Sequence, residues 1–286
     1  MIKAFLGTGL LGANFVKAML DRGEQVQVWN RSAAKAAALE ALGARVCATA
    51  ADAVKGADYV HLTLRDDASV NEVLAAAAPG LQVGAVIIDH TTTSAAGAVE
   101  RTKEWQARGF TYLHAPVFMG PANAREGSGF MLVSGNQEVI TAVQPLLDKM
   151  TGRVLNFGPE EGKAAGMKLI GNCFLVAFTA GLSDTLGLGK ALHISVQDMN
   201  ALFDAWNPAT MIPARLQRMT SGDYSKPSWE LAMARKDTQL FMNTVQGNGA
   251  LTVIPAIAAE MDRWIEKGFG NSDWTVIAKD VAAGLK

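Results

Sequence analysis

Over the first 157 residues, short apolar runs alternate with alanine-rich stretches whose apolar positions recur at helical spacing. The runs at 2–6, 25–29, 59–62, 85–89, 111–114 and 131–134 read as strands, and 14–22, 33–42, 68–78 and 95–108 as helices between them. Such repetition predicts a parallel sheet with helices on both faces, because parallel strands need a crossover and a helix supplies it. After 154–157 no further strand is expected. A long helical pattern runs from about 162 to 192, followed by helices near 196–203, 211–219, 229–247, 251–267 and 274–281. The predicted fold class is therefore α/β: a doubly wound parallel sheet, then an all-α C-terminal domain. The boundary is placed in Gly158-Pro159-Glu160-Glu161-Gly162, where a residue without a backbone donor stands between flexible glycines. This gives domains 1–160 and 161–286, the second entered by the long helix.

Composition narrows the classes of function. Hydrophobic residues are 49% of the 286 and charged residues 19%, enough apolar material for a sizeable core. A net charge of −1, from 26 basic and 27 acidic side chains, argues against a nucleic-acid or membrane-surface partner. Cys47 and Cys173 belong to no C-x-x-C pair and read as buried, reduced thiols. The N-terminus has no signal-peptide pattern, so a cytoplasmic protein is expected. The apolar stretch 169–182 is shorter than a membrane span of roughly 20 residues and contains Gly171, Asn172 and Gly181, which predicts a buried core helix. His61, His90, His114 and His193 lack metal-ligand spacing, and no metal site is expected. His61 is placed at a strand end and His193 in a turn between helices.

Gly7-Thr8-Gly9-Leu10-Leu11-Gly12 follows the first strand and opens the first helix. A first glycine permits the tight turn, a second lets a pyrophosphate approach the backbone, and a third lets helix and strand pack closely. The phosphates then meet free N–H groups and the positive end of the helix dipole. All six residues are candidate cofactor contacts, and the N-terminal sheet is read as Rossmann-type. The second strand ends Trp29-Asn30-Arg31-Ser32, with no carboxylate to hold a ribose 2′-hydroxyl, while the Arg31 guanidinium suits a 2′-phosphate. Asn30, Arg31 and Ser32 join the candidates, and NADP is expected over NAD.

Lys168 and Asn172, four apart in the long helix, share one face among apolar neighbours. Burial lowers a lysine pKa toward the range useful for proton transfer. A helix-edge lysine with its ammonium in water stands beside that reading. Asp184 reads as structural, and Trp206-Asn207-Pro208 as a helix stop.

Over nearly its whole length the chain resembles the β-hydroxyacid dehydrogenase family, which includes 3-hydroxyisobutyrate dehydrogenase and tartronate semialdehyde and glyoxylate reductases. The family motif G-x-G-x-x-x-K-x-x-x-N is matched by Gly162, Lys168 and Asn172, with Ala164 replacing the second glycine. The resemblance implies that Lys168 gives or takes the proton and that Asn172 holds substrate. Asp89-His90-Thr91-Thr92 is similar to the family's D-x-S-T, implying Thr91 near substrate and Thr92 near the nicotinamide ribose. The segment 62–67, with Leu64 and Arg65, resembles the loop beside the adenosine half of the cofactor. Lys236-Asp237 resembles a pair whose lysine reaches the cofactor. The family's substrate loop A-P-V-S-G-G appears here as Ala115-Pro116-Val117-Phe118-Met119-Gly120. Phe118, Met119 and Gly120 are substrate candidates in a bulkier, more apolar pocket.

These readings imply an NADP-preferring oxidoreductase. It would move a hydride between the nicotinamide and a small 3-hydroxy acid, or the matching aldehyde or keto acid. The substrate is expected to be a carboxylic acid, and the chain a homodimer or homotetramer. A reductase of another C=X bond, similar to imine reductases, and a non-catalytic dinucleotide-binding scaffold remain open as alternatives; both types lack the lysine.

Overall fold

The computed structural model describes residues 1–247 and 249–285. The chain divides into two compact units, Met1–Cys173 and Phe174–Lys286. The division falls inside the long helix; the boundary read from sequence stands earlier, at that helix's entry.

The first unit is built on six parallel strands, β1 (Ile2–Leu6), β2 (Gln25–Trp29), β3 (Arg45–Val46), β4 (Tyr59–Leu62), β5 (Val86–Asp89) and β6 (Thr111–His114), in the order β3-β2-β1-β4-β5-β6. A second sheet holds β7 (Val117–Phe118), β8 (Phe130–Val133) and β9 (Arg153–Asn156); β7 runs antiparallel to β8, and β9 parallel to it. Seven helices accompany the strands: α1 (Leu10–Asp21), α2 (Ala33–Ala37), α3 (Ala50–Val54), α4 (Asp67–Ala77), α5 (Ala95–Ala107), α6 (Pro121–Glu126) and α7 (Gln137–Leu147). The expected strands are all present. β3 and β7, two residues each, carry too little pattern to be read in advance.

Alternation in β1 shows why this sheet is buried on both faces. Phe5 enters one cluster with Phe15, Val16 and Met19 of α1 and with Val26 and Val28 of β2. Its neighbours Ala4 and Leu6 enter the opposite cluster with Val60, Leu62, Ile87 and the α3 and α4 residues Val54, Val70 and Leu74. Each such large side chain contributes about 1.5–3 kcal/mol when withdrawn from water. Parallel strands covered on both faces read as continuous apolar runs, as these do. His61 lies within β4 rather than at its end, fully buried, its ring stacked on Phe5 at 5.7 Å and on His90 at 5.3 Å.

Helix α8 (Lys163–Ala191) runs from the first unit into the second. Then come α9 (Val196–Ala205), α10 (Ile212–Thr220), α11 (Leu231–Val245), α12 (Ile254–Trp264) and α13 (Lys279–Ala282). As the sequence predicts, this region holds no strand among its described residues, apart from a single bridge between Glu230 and Asp273. Its core gathers Leu231, Ala234, Met261, Trp264, Val276 and Tyr224. Asp184 accepts from the backbone N–H groups of Thr252, Val253 and Ile254 at 2.6, 2.8 and 2.9 Å, capping α12, which agrees with its structural reading. His193 sits in a left-handed turn at φ 57°, as expected between helices.

Two further expectations are corrected. The stretch 169–182 is not a buried core: Ile170 is 63% and Val176 70% exposed, and Phe174, Leu175 and Phe178 are also exposed. The helix itself has 29 residues, long and apolar enough to cross a membrane by length and composition. The second correction concerns the thiols, which are not buried: Cys47 is half-buried and Cys173 exposed on α8. Apolar neighbours in sequence predicted burial, but this helix is apolar on nearly every side and the chain alone cannot cover all of it.

Candidate active site

The glycine loop has the geometry its spacing requires. Gly7 adopts φ +96°, and a Cβ there would lie 2.3 Å from the Thr63 carbonyl oxygen; one on Gly12 would lie 2.0 Å from the Gly7 carbonyl oxygen. Above Gly9, the N-cap of α1, the space is open, and no side chain caps the helix. The loop is pinned to neighbouring strands. Gly7 N–H donates to Trp29 O at 2.9 Å, Thr8 N–H to Asn30 Oδ1 at 2.9 Å, and Thr63 Oγ1 to Gly7 O at 2.8 Å. Asn30 Nδ2 donates to Ser32 O at 2.9 Å, so Asn30 shapes the loop from behind. An uncapped helix end beneath open space, with glycines that tolerate no Cβ, fits a bound pyrophosphate.

Two cavities meet at Gly9, Thr63, Leu64 and Arg65. One, about 490 Å³, extends past Asn30, Arg31 and Ser32 and also takes in Lys35. The sequence reading missed this second cation, although it stands one turn beyond Arg31 on α2. Glu72 of α4 lines the same cavity. The other, about 350 Å³, is lined by Leu10, Leu11, Thr91, Thr92, Met119 and Lys168, and also by His90 and Val117. Most of the predicted cofactor residues and the lysine thus come together along one cleft at the carboxyl ends of β1, β2, β4 and β5, where doubly wound sheets bind ligands, while Thr8, Phe118, Gly120 and Asn172 stand outside both linings. Lys236 lies on α11 in the other unit, exposed and paired with Asp237 Oδ1 at 3.1 Å.

Lys168 is placed by the entry of α8. Ala164 N–H donates to Ser134 Oγ at 2.9 Å; Ala164 and Ala165 are buried, and a Cβ on Gly162 (φ +80°) would meet Val99 and Ala95 of α5. Lys168 is 8% exposed. Its Nζ donates to Asn172 Oδ1 at 3.0 Å and stands 4.0 Å from the centre of the Phe118 ring. Burial lowers its pKa from the ordinary lysine value. The lysine with its ammonium in water is thereby set aside.

Beneath the cleft a buried network ties two loops together. Thr91 N–H donates to Asp89 Oδ1 at 2.9 Å, and Leu64 N–H to Thr91 Oγ1 at 3.0 Å. Tyr112 OH donates to Asp89 Oδ2 at 2.7 Å and accepts from Arg101 Nε at 3.0 Å. Arg101 reaches on to Asp67 Oδ1 at 2.8 Å, and Ser94 N–H donates to Asp67 Oδ2 at 2.9 Å. Thr91 therefore joins the loops, while Thr92 is the exposed residue of the pair. His90 Nδ1 lies 2.9 Å from Ala115 O and so carries the proton; His90 Nε2 then accepts from His61 Nδ1 at 3.0 Å. Burial holds His61 well below the ordinary histidine value and His90 at about 4, so both rings are neutral near pH 7. No cluster suited to a metal is found among the described residues.

Fold and cleft together define an NAD(P)-binding oxidoreductase. Residues 3–158 match the NAD binding domain of 6-phosphogluconate dehydrogenase, and the chain belongs to that family, within its β-hydroxyacid dehydrogenase branch. It is 27% identical over 294 residues to 3-sulfolactaldehyde reductase of Escherichia coli, covering 99% of this chain and 97% of that one. It is 27% identical over 278 residues to glyoxylate/succinic semialdehyde reductase 2 of Arabidopsis thaliana, covering 94% and 75%. Among solved structures, an imine reductase from Myxococcus stipitatus in complex with NADP+ superposes with a TM-score of 0.88 at 21% identity, over 98% of this chain and all (100%) of that one. A reductive aminase from Aspergillus terreus gives 0.86 at 22% identity, covering 98% of each. At these identities the superpositions speak for the fold.

Proposed function

We propose that the protein is an NADP-preferring reductase of carbonyl compounds, with Lys168 as the general acid, and that in reverse it oxidises the corresponding hydroxy compound. The observation that carries this reading is the buried Lys168 ammonium, held by Asn172 in a cleft continuous with the glycine loop. The bound nicotinamide supplies or accepts a hydride, two electrons and one hydrogen, at the substrate carbon. In reduction Lys168 Nζ gives a proton to the carbonyl oxygen as the C–H bond forms, and the neutral amine regains it from solvent. Asn172 Oδ1 fixes the rotamer of the lysine, and Thr92 borders the nicotinamide end. Arg31 and Lys35 support NADP over NAD, because two cations meet where a 2′-phosphate would lie. The relatives' names speak for small aldehydes that carry an acid group, and for the matching hydroxy acids, as substrates. Retention of the lysine favours C=O over C=N chemistry and over a non-catalytic scaffold. Residues 1–160 serve as the nucleotide domain and 161–286 as the substrate and assembly domain, with Lys236 a further candidate cofactor contact.

We also infer a homodimer or homotetramer in the cytoplasm, in which a second copy covers the exposed apolar sides of α8. A membrane is disfavoured because this helix carries two buried charged groups, Lys168 and Asp184, some four turns apart. Sedimentation showing only monomer at micromolar concentration contradicts this assembly.

The test of the catalytic reading is NADPH and NADH oxidation by wild type and Lys168→Ala over small aldehydes, keto acids and cyclic imines. Loss of about 10²–10⁴-fold in carbonyl turnover, with NADPH binding retained, is expected for removal of a general acid. Turnover that survives the substitution removes Lys168 from that role and favours the C=N reading.

A further inference from the structure

The 118–120 loop departs from the family's substrate loop at 118 and 119, and at 120, where the glycine is kept, the backbone N–H is not free. Position 118 carries a phenyl ring in place of a hydroxyl, and position 119 a thioether chain that lines the cavity. The N–H of Gly120 is already spent: it donates to Asn123 Oδ1 at 2.8 Å, within the cap of α6. The Phe118 ring is seated rather than loose. Its face lies 4.0 Å from Lys168 Nζ, and it fills the space that a side chain at 171 would need, since a Cβ on Gly171 would stand 2.3 Å from its Cζ. A phenyl ring attracts an ammonium through its negative face, an interaction worth more when both are desolvated.

The donors of Lys168 can then be counted. An ammonium has three N–H groups. One goes to Asn172 Oδ1, one is directed at the Phe118 ring, and one is left for a single oxygen. The other cation on this lining, Arg65, is paired with Asp66 at 2.9 Å, has a 78% exposed side chain, and also lines the Arg31 cavity. A carbonyl oxygen is therefore provided for, while a carboxylate on the same substrate would find no further unpaired cation on this lining, only neutral donors such as the Thr92 hydroxyl, and beside the lysine a ring and a thioether in place of a hydroxyl and a glycine. Burying an anion without a cation to pair it is costly.

We propose that Phe118, seated on Lys168 in the recess left by Gly171, replaces a carboxylate anchor and selects aldehydes or ketones whose remaining substituent is uncharged and apolar. The proposal rests on the carbonyl-reductase reading above and narrows its substrate class away from the small acid expected from sequence.

Two measurements test it. The first compares kcat/KM with NADPH for butanal and for succinic semialdehyde, which differs by a terminal carboxylate. Wild type is expected to favour butanal at least tenfold. Phe118→Ser should move the ratio at least tenfold toward the semialdehyde, and Gly171→Ala, which displaces the ring, should move it the same way. The second is calorimetric binding of isobutyramide and of isobutyrate to the enzyme saturated with NADP+, which needs no turnover. Wild type should take the amide and not the anion, and Phe118→Ser should gain the anion. A wild type that prefers the semialdehyde or binds isobutyrate better than the amide overturns the proposal, as does a Phe118→Ser ratio that stays put. The Lys168→Ala assay reads the catalytic assignment separately, so its failure is not confused with failure of the selectivity.

Discussion

Tyr112→Phe removes one oxygen from beneath the cleft, and the hydrogen-bond geometry sets the size of the effect. The hydroxyl gives its proton to Asp89 Oδ2 at 2.7 Å and accepts from Arg101 Nε at 3.0 Å, both groups lying in buried residues. Phenylalanine fits the same space, so no cavity forms, but Asp89 Oδ2 loses this donor and Arg101 Nε its acceptor. Arg101 Nη2 is already without a partner, so the guanidinium has nowhere nearby to turn. Hydrogen bonds to charged groups are worth about 1.5–3 kcal/mol each. Two that share one oxygen do not add fully, and a loss of about 3 kcal/mol is expected. At roughly 2–4 °C per kcal/mol for a large chain, Tm should fall by about 6–12 °C in a thermal scan at pH 7. Asp89 also fixes Thr91, whose hydroxyl holds Leu64, so the cofactor loops loosen together: NADPH KM should rise about three- to tenfold with kcat nearly unchanged. Burial raises the Tyr112 pKa well above the ordinary phenol value, and the Asp89 charge adds to this. A group raised on folding contributes stability that is fully present below its unfolded pKa of about 10 and is lost as pH climbs toward the folded one. The gap between wild type and variant should therefore be constant from pH 6 to 9 and narrow above about 10. A variant melting within a degree of wild type at pH 7 would refute the claim that this hydroxyl bridges two buried charges.

Three further substitutions probe other parts of the chain. Gly12→Ala sets a methyl 2.0 Å from the Gly7 carbonyl oxygen, backbone against backbone, so fluorescence titration should show NADPH binding weakened more than tenfold in a protein of normal circular dichroism; unchanged affinity would mean the loop is not the phosphate site. Arg31→Gln should weaken NADPH at least tenfold and leave NADH unaltered, and an equal effect on both would deny a 2′-phosphate contact. Asp184→Asn presents an amide N–H₂ to at least one of the backbone N–H donors of 252–254 and should cost about 2 kcal/mol at pH 7 by denaturant titration. Burial pushes the Asp184 pKa up, but the bonds from Thr252, Ile254 and Val253 outweigh it and leave it lowered. Its contribution is accordingly present above the unfolded value of about 3.9 and lost as pH falls through the folded one, so the wild type–variant gap should close below about pH 4.

Features set by periodicity and by glycine were legible in the sequence. Five runs between residues 2 and 114 gave β1, β2, β4, β5 and β6, because a strand buried on both faces must be apolar throughout. Gly7, Gly9 and Gly12 announced a tight strand-to-helix loop, and the backbone geometry there excludes a Cβ at two of the three. Lys168 and Asn172 could be paired by their spacing of four. What could not be read was what lies across space. The partner of His61 is His90 on the next strand's end, and a lone histidine in an apolar strand does not name it. The recess that receives Phe118 is made by Gly171, fifty-odd residues away and in another element, so the loop alone suggested bulk without saying where it would go. Lys35 was missed although a cation one turn after Arg31 at a helix start was visible.

The apolar run in α8 shows why hydropathy by itself cannot distinguish a core from an interface. Both need side chains withdrawn from water, and a one-dimensional pattern records only that need. Position along the helix adds what hydropathy leaves out. At the N-terminal end small residues, Ala164 and Ala165, are buried and Lys168 is turned inward onto Phe118 and Asn172. Sixteen residues on, about four and a half turns, Asp184 points to nearly the opposite side of the helix and caps α12. Between these two polar anchors the exposed Phe174, Leu175, Val176 and Phe178 leave the helix surface largely apolar, with Thr179 and Ser183 the exposed polar side chains. A helix with a buried charge near each end and apolar surface around it between them is held in register by the charges, and the apolar surface is then free to serve assembly. For this reason a substitution such as Phe178→Asp is expected to change the sedimentation of the protein before it changes the geometry around Lys168.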